Sequence, residues 1–443
     1  MPTYHLTTFG CQMNDHDSER IRGVLEACGW ELADAAEDAD LLVYNTCAVR
    51  RSAESRLLGR LGEARRLKKK RPARQIAIGG CFAQSRRDRI FAELPFVDVA
   101  FGPQNIGQLP GLLEAAATGP APACAFDEQP FPSAGLPARR PDRHRAWVQV
   151  MTGCTNFCSY CVVPQVRGPE RSRAAVDIAA EVERLVAGGV VEITLLGQNV
   201  NAYGLDLAEA GGKTGRPEDF AGLLARLDGI AGLERIRFTT SHPKDLDDAL
   251  IEAIRDIPSV CEHLHLPAQS GSTRILTRMN RGYTREQYLE RVGRLYEAIP
   301  ALALTTDLIV GFPAEREEDF YRTMTLVEGC RFDGAFTFVY SPRPGTGAAE
   351  MPGRVPEVTI SRRMRELIQL TQTLAEEKNR ALVGSLVEVL VEGASRQGGG
   401  QLRGRTRTNK IVNFSGTART GDLVRVSIDV ASSTTLGGRQ AGG

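Results

Sequence analysis

The sequence predicts an α/β protein in three parts: an N-terminal parallel α/β domain, a partial (β/α)6 barrel and a small C-terminal β-barrel. Three observations lead there. Short apolar runs alternate with amphipathic stretches over residues 1–118 and again over 146–376, the pattern of strands and helices packed as a parallel sheet. A stretch at 119–145 holding Pro120, Pro122, Pro130, Pro132, Pro137 and Pro141 separates the two. From 377 to 443 the helical period gives way to apolar runs punctuated by glycine, as in a small antiparallel barrel.

In the first part, Tyr4–Phe9, Leu41–Tyr44, Gln75–Ile78 and Val97–Phe101 read as strands, and Ser18–Cys28 as a helix ending near Gly29. The proline-rich stretch is unsuited to a helix or a central strand and reads as a linker. In the second part the expected strands are Trp147–Met151, Val190–Leu196, Arg235–Thr240, His263–Leu266, Thr306–Val310 and Ala335–Tyr340. Six strands with helices between them suit a partial barrel better than an open sheet. In the third part, Leu386–Val391 and Leu423–Ile428 have strand composition.

At 443 residues the chain is long enough for each part to bury its own core. Hydrophobic content of 42% and charged content of 25% are those of a water-soluble globular protein, and the net charge of +1 excludes a general polycation. Nucleic-acid binding would have to rest on local basic patches. No apolar run reaches bilayer length, and Met1–Gly10 lacks the basic-then-apolar pattern of a secretory signal. A cytoplasmic protein is expected, with its ten cysteines reduced.

Cys154, Cys158 and Cys161 form a Cys-x3-Cys-x2-Cys run just past the first expected barrel strand. Three thiolates on one short loop suit a 4Fe–4S cluster whose fourth iron stays open to a ligand. Structural zinc is the alternative, but it wants four ligands; none follows closely, and His144 is the nearest upstream. A second set emerges from topology. Cys11, Cys47 and Cys81 each follow an expected strand of the first part, and sites in parallel sheets form at the carboxyl ends of strands. A second three-thiolate cluster and buried core thiols are both open readings. The flanking Gly10, Gln12, Asn14, Asn45, Thr46, Gly79 and Gly80 favour a site. Cys28, Cys124, Cys261 and Cys330 show no partner spacing.

The Cys154 loop, with an aromatic before its last cysteine, resembles the radical S-adenosylmethionine (SAM) superfamily. Thr8–Asn14, Asn45–Arg50, Gly80–Gln84, Arg167–Arg173, Leu196–Asn201, Thr239–Pro243, His265–Ser272 and Tyr340–Thr346 together resemble the methylthiotransferase family within it. The resemblance covers nearly the whole chain and likens the C-terminal barrel to a TRAM domain, an OB-like RNA-binding module. Gln12-Met13-Asn14 and Thr155-Asn156-Phe157 resemble the branch acting on isopentenyl-adenosine next to the tRNA anticodon, at position 37. Gly311-Phe312-Pro313-Ala314-Glu315-Arg316 departs from the family's Gly-Phe-Pro-Gly-Glu-Thr, and Gln165 and Pro169 also differ.

The resemblance implies two 4Fe–4S clusters, one on Cys154, Cys158 and Cys161 that cleaves SAM, and an auxiliary one on Cys11, Cys47 and Cys81 that holds sulfur. One SAM would give the methyl group and another the radical that activates carbon 2 of the adenine. Gln198, Asn199, Ser241, Gln269 and Asp307, placed near strand ends, are the expected SAM contacts; loop hydrogen bonding and helix capping explain each of them equally well alone. For tRNA, Arg403, Arg405, Arg407 and Lys410 would form a basic stripe on an extended segment, with Phe414 free to stack on a base. A solubilising barrel face is the other reading of that stripe. Arg65–Arg71 is a second basic run, read mainly as a solvated face, and Arg167, Arg171 and Arg173 are candidates for phosphates or the SAM carboxylate. A protein reductant and a monomeric state are also expected. The competing readings are methylthiolation of threonylcarbamoyl-adenosine in tRNA or of a ribosomal-protein aspartate, and a non-catalytic iron–sulfur RNA-binding protein.

Overall fold

A computed structural model describes residues 1–48, 51–87, 89–127, 135–210, 218–396 and 398–442. Val49, Arg50, Pro130 and Pro132 lie outside the described residues. The chain divides into two compact units. The first joins Met1–Pro141 with Met151–Asn156 and Cys161–Arg173, and the second joins Asp142–Val150, Phe157–Tyr160 and Ala174–Gly443.

The first unit is built on a parallel sheet of six strands, β1 (Thr3–Phe9), β2 (Glu31–Leu32), β3 (Leu41–Thr46), β4 (Gln75–Gly79), β5 (Val99–Phe101) and β6 (Ala123–Ala125), in the order β2-β1-β3-β4-β5-β6. Every residue of β3 is buried, and alternate side chains enter opposite cores. Leu41 and Val43 pack on one face with Leu25 and Leu109, Leu42 and Tyr44 on the other with Leu57 and Leu61. That two-sided burial is why the strand reads as a continuous apolar run. Two edge strands, β2 and β6, escaped the sequence reading because two or three residues carry no period. The first helix, Gln12–Ala27, starts directly after Cys11, six residues earlier than expected.

The second unit contains β7 (Arg145–Gln149), β10 (Glu192–Leu196), β11 (Arg235–Thr239), β12 (His263–His265), β13 (Ala303–Val310) and β14 (Gly334–Val339). They form two parallel sheets, β7-β10-β11 and β12-β13-β14, joined by a parallel bridge between Ile236 and Val260. This is the expected partial barrel. A short antiparallel pair, β8 (Met151–Thr152) with β9 (Arg171–Ser172), belongs to the first unit and frames the Cys154 loop.

The C-terminal part closes into a barrel of β15 (Leu386–Ala394), β16 (Leu402–Thr406), β17 (Ile411–Ser415), β18 (Leu423–Ala431) and β19 (Thr435–Gln440). One pairing, β17 with β19, is parallel, so the barrel is not purely antiparallel as expected. Val389, Val391, Val412, Phe414, Val426, Ile428 and Leu436 fill it. Phe414 is therefore a core residue and not a base-stacking surface, because alternation along β17 turns Val412 and Phe414 inward together. No helix among the described residues is long and apolar enough to cross a membrane.

Candidate functional site

The ends of β1, β3 and β4 bring three cysteines together. Cys11 opens the helix Gln12–Ala27, Cys47 follows β3, and Cys81 opens the helix Cys81–Arg86. The small residues flagged in the sequence make this approach possible. A Cβ on Gly10 would lie 2.2 Å from Asn14 Oδ1 and 2.9 Å from the Cys47 Cβ; at Gly80 (φ +89°) it would lie 2.4 Å from Asn45 Oδ1. Asn45 ties the loops, donating through Nδ2 to the Asn14 carbonyl at 2.8 Å and to Ser18 Oγ at 2.9 Å. The Cys11 thiol sits 3.5 Å from Asn14 Oδ1. A hydrogen bond from Cys47, aided by Arg167 against the effect of burial, lowers the Cys11 pKa to about 6, so this sulfur is a ready thiolate. Cys81 is different: burial raises its pKa and outweighs the opposing pull of Arg167.

Arg167 is a charged neighbour of Cys11 and Cys81. Its Nε donates to Cys81 Sγ at 3.3 Å and its Nη2 to Asp17 at 2.7 Å, with all three residues buried. The sequence reading offered Arg167 to phosphate or to the SAM carboxylate; burial against Cys81 and Asp17 takes it out of that role. The donor set, three thiols with a cation and amide donors around them, fits an iron–sulfur cluster. Among the described residues, no three side chains of His, Cys, Asp or Glu are gathered as ligands of a single metal ion would be. A four-iron cluster, several atoms across, spaces its thiolates more widely than one ion does.

Of the second cysteine set, Cys154 and Cys161 belong to the first unit and Cys158 to the second. In the first, Cys154 follows Gly153 (φ +76°), where a Cβ would fall 1.9 Å from the Pro169 carbonyl oxygen. The Cys154 amide donates to the Gly168 carbonyl at 3.1 Å, pinning the loop against the residues that follow Cys161. Backbone N–H groups of Asn156 and Val163 donate to the sulfurs of Cys154 and Cys161 at 3.4 and 3.5 Å, which favours the thiolate form. In the second unit, Cys158 is buried and accepts from Arg281 Nη1 at 3.4 Å. Ser159 is fixed by its amide to the Met279 carbonyl at 3.0 Å. His144, the upstream zinc alternative, packs against Gly421 of the C-terminal barrel.

The expected SAM residues all lie in the second unit. Gln198 and Ser241 follow β10 and β11, and each has a buried side-chain oxygen, Oε1 and Oγ, without a hydrogen-bond partner among the described residues. His242 Nε2 is in the same condition, while its Nδ1 accepts from the Lys244 amide at 3.2 Å. Burial, with help from Arg281, pushes the His242 pKa down to about 2, leaving a neutral ring. Buried polar atoms are ordinarily paired, so this group fits a polar ligand such as SAM. Asn199 differs, donating to Asp245 at 2.8 Å. Gln269 turns the chain at φ +66°, its amide donating to the Asp307 carbonyl at 2.8 Å. Asp307 lies inside β13 and not at a strand end, with His265 3.5 Å from its carboxylate.

The four residues of the expected basic stripe are half-buried, and each has a carboxylate partner within the chain. Arg403 and Arg405 both turn to Glu392, at 3.4 and 2.9 Å. Arg407 pairs with Glu262 at 2.9 Å and donates to the Pro258 and Val260 carbonyls. Lys410 pairs with Asp333 at 2.7 Å. Arg145, first in β7, also pairs with Glu392. Arg235, first in β11, reaches Glu388 at 2.7 Å and the Arg405 carbonyl at 2.9 Å. The barrel thus covers the N-terminal ends of the parallel strands, the face associated with stability in such folds. In the other basic run, Lys68 and Arg71 are paired with Asp98 and Asp40, both at 2.5 Å.

Sequence reasoning missed Arg281, Asp17 and His242 as site residues. Arg281 lies 123 positions from Cys158, and only packing joins them. His242 stood within a quoted motif, but its unpaired nitrogen is visible only in three dimensions.

Comparison with known proteins agrees with this layout. Residues 3–102 match the model described as Uncharacterized protein family UPF0004, 148–327 the Radical SAM superfamily and 380–440 the TRAM domain. The chain is 47% identical over 98% of its length to a tRNA-2-methylthio-N(6)-dimethylallyladenosine synthase of Thermoanaerobacter pseudethanolicus, covering 92% of that protein. The chain belongs to this synthase family. A synthase of Syntrophomonas wolfei is 48% identical over 98% of this chain and 97% of its own length. One of Caldicellulosiruptor saccharolyticus is 48% identical over 93% and 86%. Among solved structures, the radical SAM methyltransferase TsrM of Kitasatospora setae, with tryptophan and a SAM analogue bound, superposes with a TM-score of 0.55. The match covers 79% of this chain and 75% of that one at 14% identity, a likeness of fold.

Proposed function

We propose that this synthase-family enzyme adds a methylthio group to carbon 2 of isopentenyl-adenosine (N6-dimethylallyl-adenosine) at position 37 of tRNA, beside the anticodon. The observation that supports this reading is 47–48% identity to named synthases over nearly the whole chain, in a sequence that holds all six cysteines. With a 4Fe–4S cluster on Cys154, Cys158 and Cys161 and another on Cys11, Cys47 and Cys81, the bound groups would supply SAM cleavage and a sulfur carrier.

The chain's own residues prepare these sites. Backbone amides of Asn156 and Val163 and the Arg281 guanidinium donate to the first set of sulfurs, and the Asn14 backbone N–H and the Arg167 guanidinium donate to the second. Gln198, Ser241 and His242 offer buried polar atoms to SAM. A neutral His242 gives that ligand a hydrogen bond without repelling its sulfonium charge. The enzyme acts in the cytoplasm as a monomer and takes electrons from a protein reductant.

The test is mass spectrometry of nucleosides from isopentenylated tRNA incubated anaerobically with reconstituted protein, reductant, sulfide and SAM. The expected result is methylthio-isopentenyl-adenosine with release of 5′-deoxyadenosine. Deoxyadenosine without that nucleoside would redirect the substrate to threonylcarbamoyl-adenosine or protein. Neither product, from protein with both clusters verified, would overturn the reading.

A further inference from the structure

Each cysteine set holds one buried arginine against a sulfur, but the two arginines differ in charge balance. Arg167, 5% exposed, donates to Cys81 at 3.3 Å and is neutralised by Asp17, 2% exposed, at 2.7 Å. Burial would raise the Asp17 carboxyl, yet Arg167 and His16 together hold it below its ordinary range, so the pair is ionised. Arg281, also 5% exposed, donates to Cys158 at 3.4 Å, and its other partners are neutral. They are the Tyr160 and Tyr283 hydroxyls at 3.4 and 3.1 Å and the Pro267 carbonyl at 3.0 Å. Among the described residues, no carboxylate pairs with Arg281.

A cluster gains one negative charge on one-electron reduction. Hydrogen bonds to its sulfurs and net charge nearby set its potential, and in a buried site an unscreened cation weighs far more than an ion pair. We propose that Arg281 and Asp17 direct the incoming electron. The unbalanced Arg281 makes the Cys154–Cys158–Cys161 cluster the easier of the two to reduce. Asp17 cancels Arg167 and keeps the Cys11–Cys47–Cys81 cluster oxidised while it holds sulfur. One electron from a low-potential one-electron donor takes the first cluster from its 2+ to its 1+ state, and no proton or bond change is involved. Both arginines are positioning residues. The proposal rests on the cluster assignment above.

The test is a potentiometric titration followed by electron paramagnetic resonance, on full-length chain without SAM. Each cluster is isolated in turn by replacing the other cysteine set with alanine. Iron and sulfide content comes first: each triple variant should keep one cluster. If either keeps two, or loses both, the ligand assignment falls and the proposal with it. With loading as expected, the Cys154 cluster should have the higher midpoint, and the reverse order overturns the proposal alone. D17N should raise the auxiliary midpoint and R281M lower the other. Each should change the reduction equilibrium about tenfold or more, ~59 mV for one electron. R281K, which keeps the charge, should restore most of the potential. Midpoints that ignore the Asp17 and Arg281 substitutions would overturn the assignment of cause.

Discussion

The Arg407 guanidinium brackets the carboxylate of Glu262, Nε and Nη2 both within 3.1 Å of its oxygens, and reaches past it to the Val260 carbonyl at 2.7 Å. This contact is one rivet of the seam between the C-terminal barrel and the strands beneath it. Because Arg407 is partly exposed, solvent screens the pair, and most of its worth lies in the carbonyls it satisfies. R407A should cost about 1–2 kcal/mol in denaturant unfolding and leave tRNA affinity and its salt dependence nearly unchanged. Lost tRNA affinity with unaltered stability would return this residue to the RNA interface.

Ala314 occupies φ +64°, a left-handed conformation that favours glycine, and its amide donates to the Gly353 carbonyl at 2.6 Å. A left-handed alanine costs about 1–2 kcal/mol, offset in part by the entropy that glycine loses on folding. A314G should therefore stabilise the protein by about 0.5–1 kcal/mol. Thermal melting compared with the parent chain decides it, and a lower melting temperature would contradict the strain argument.

Cysteines inside and outside the two sets should respond differently. Cys28 is exposed at the end of the helix Gln12–Ala27, whereas Cys47 is buried beside Cys11. C28A should retain iron content and methylthiolation. C47A should lose about half the iron and all product while SAM cleavage persists. Iron and nucleoside assays on the two variants give the comparison, and product from C47A would remove Cys47 from the ligand set.

His242 sets a pH dependence. Its folded pKa, about 2, lies below the ordinary 6.5 because it is buried, so between those values the unfolded chain binds the extra proton. Stability from this group is complete above pH 6.5 and is lost as pH falls. By pH 5 the loss amounts to about 2 kcal/mol. Denaturation midpoints of the parent and H242Q at pH 7.5 and pH 5 should show a smaller drop for the variant; equal drops would assign the effect elsewhere.

Much of this architecture was legible in the residues. Buried strands such as Leu41–Thr46 announce themselves by unbroken apolar runs, and Cys154, Cys158 and Cys161 share one loop, so spacing alone reveals them. The Cys11, Cys47 and Cys81 set needed topology as well as spacing. What stayed hidden depends on partners distant in sequence. Arg403, Arg405 and Arg407 alternate as a nucleic-acid face would, and nothing local tells that Glu392 and Glu262 await them. Phe414 misled for the same reason: a strand's alternation gives two faces without saying which is the core.

The charged seam under the parallel strands also governs how the chain can be recombined. Arg235 is 1% exposed and depends on Glu388 and the Arg405 carbonyl from the C-terminal barrel. Severing the chain near Arg380 would strand that guanidinium and its neighbour Arg237 beside Glu192 alone. A chimera that borrows the barrel of another family member should fold only when these partners are transplanted as a matched set, so the C-terminal module behaves as a foundation stone and not as an interchangeable handle.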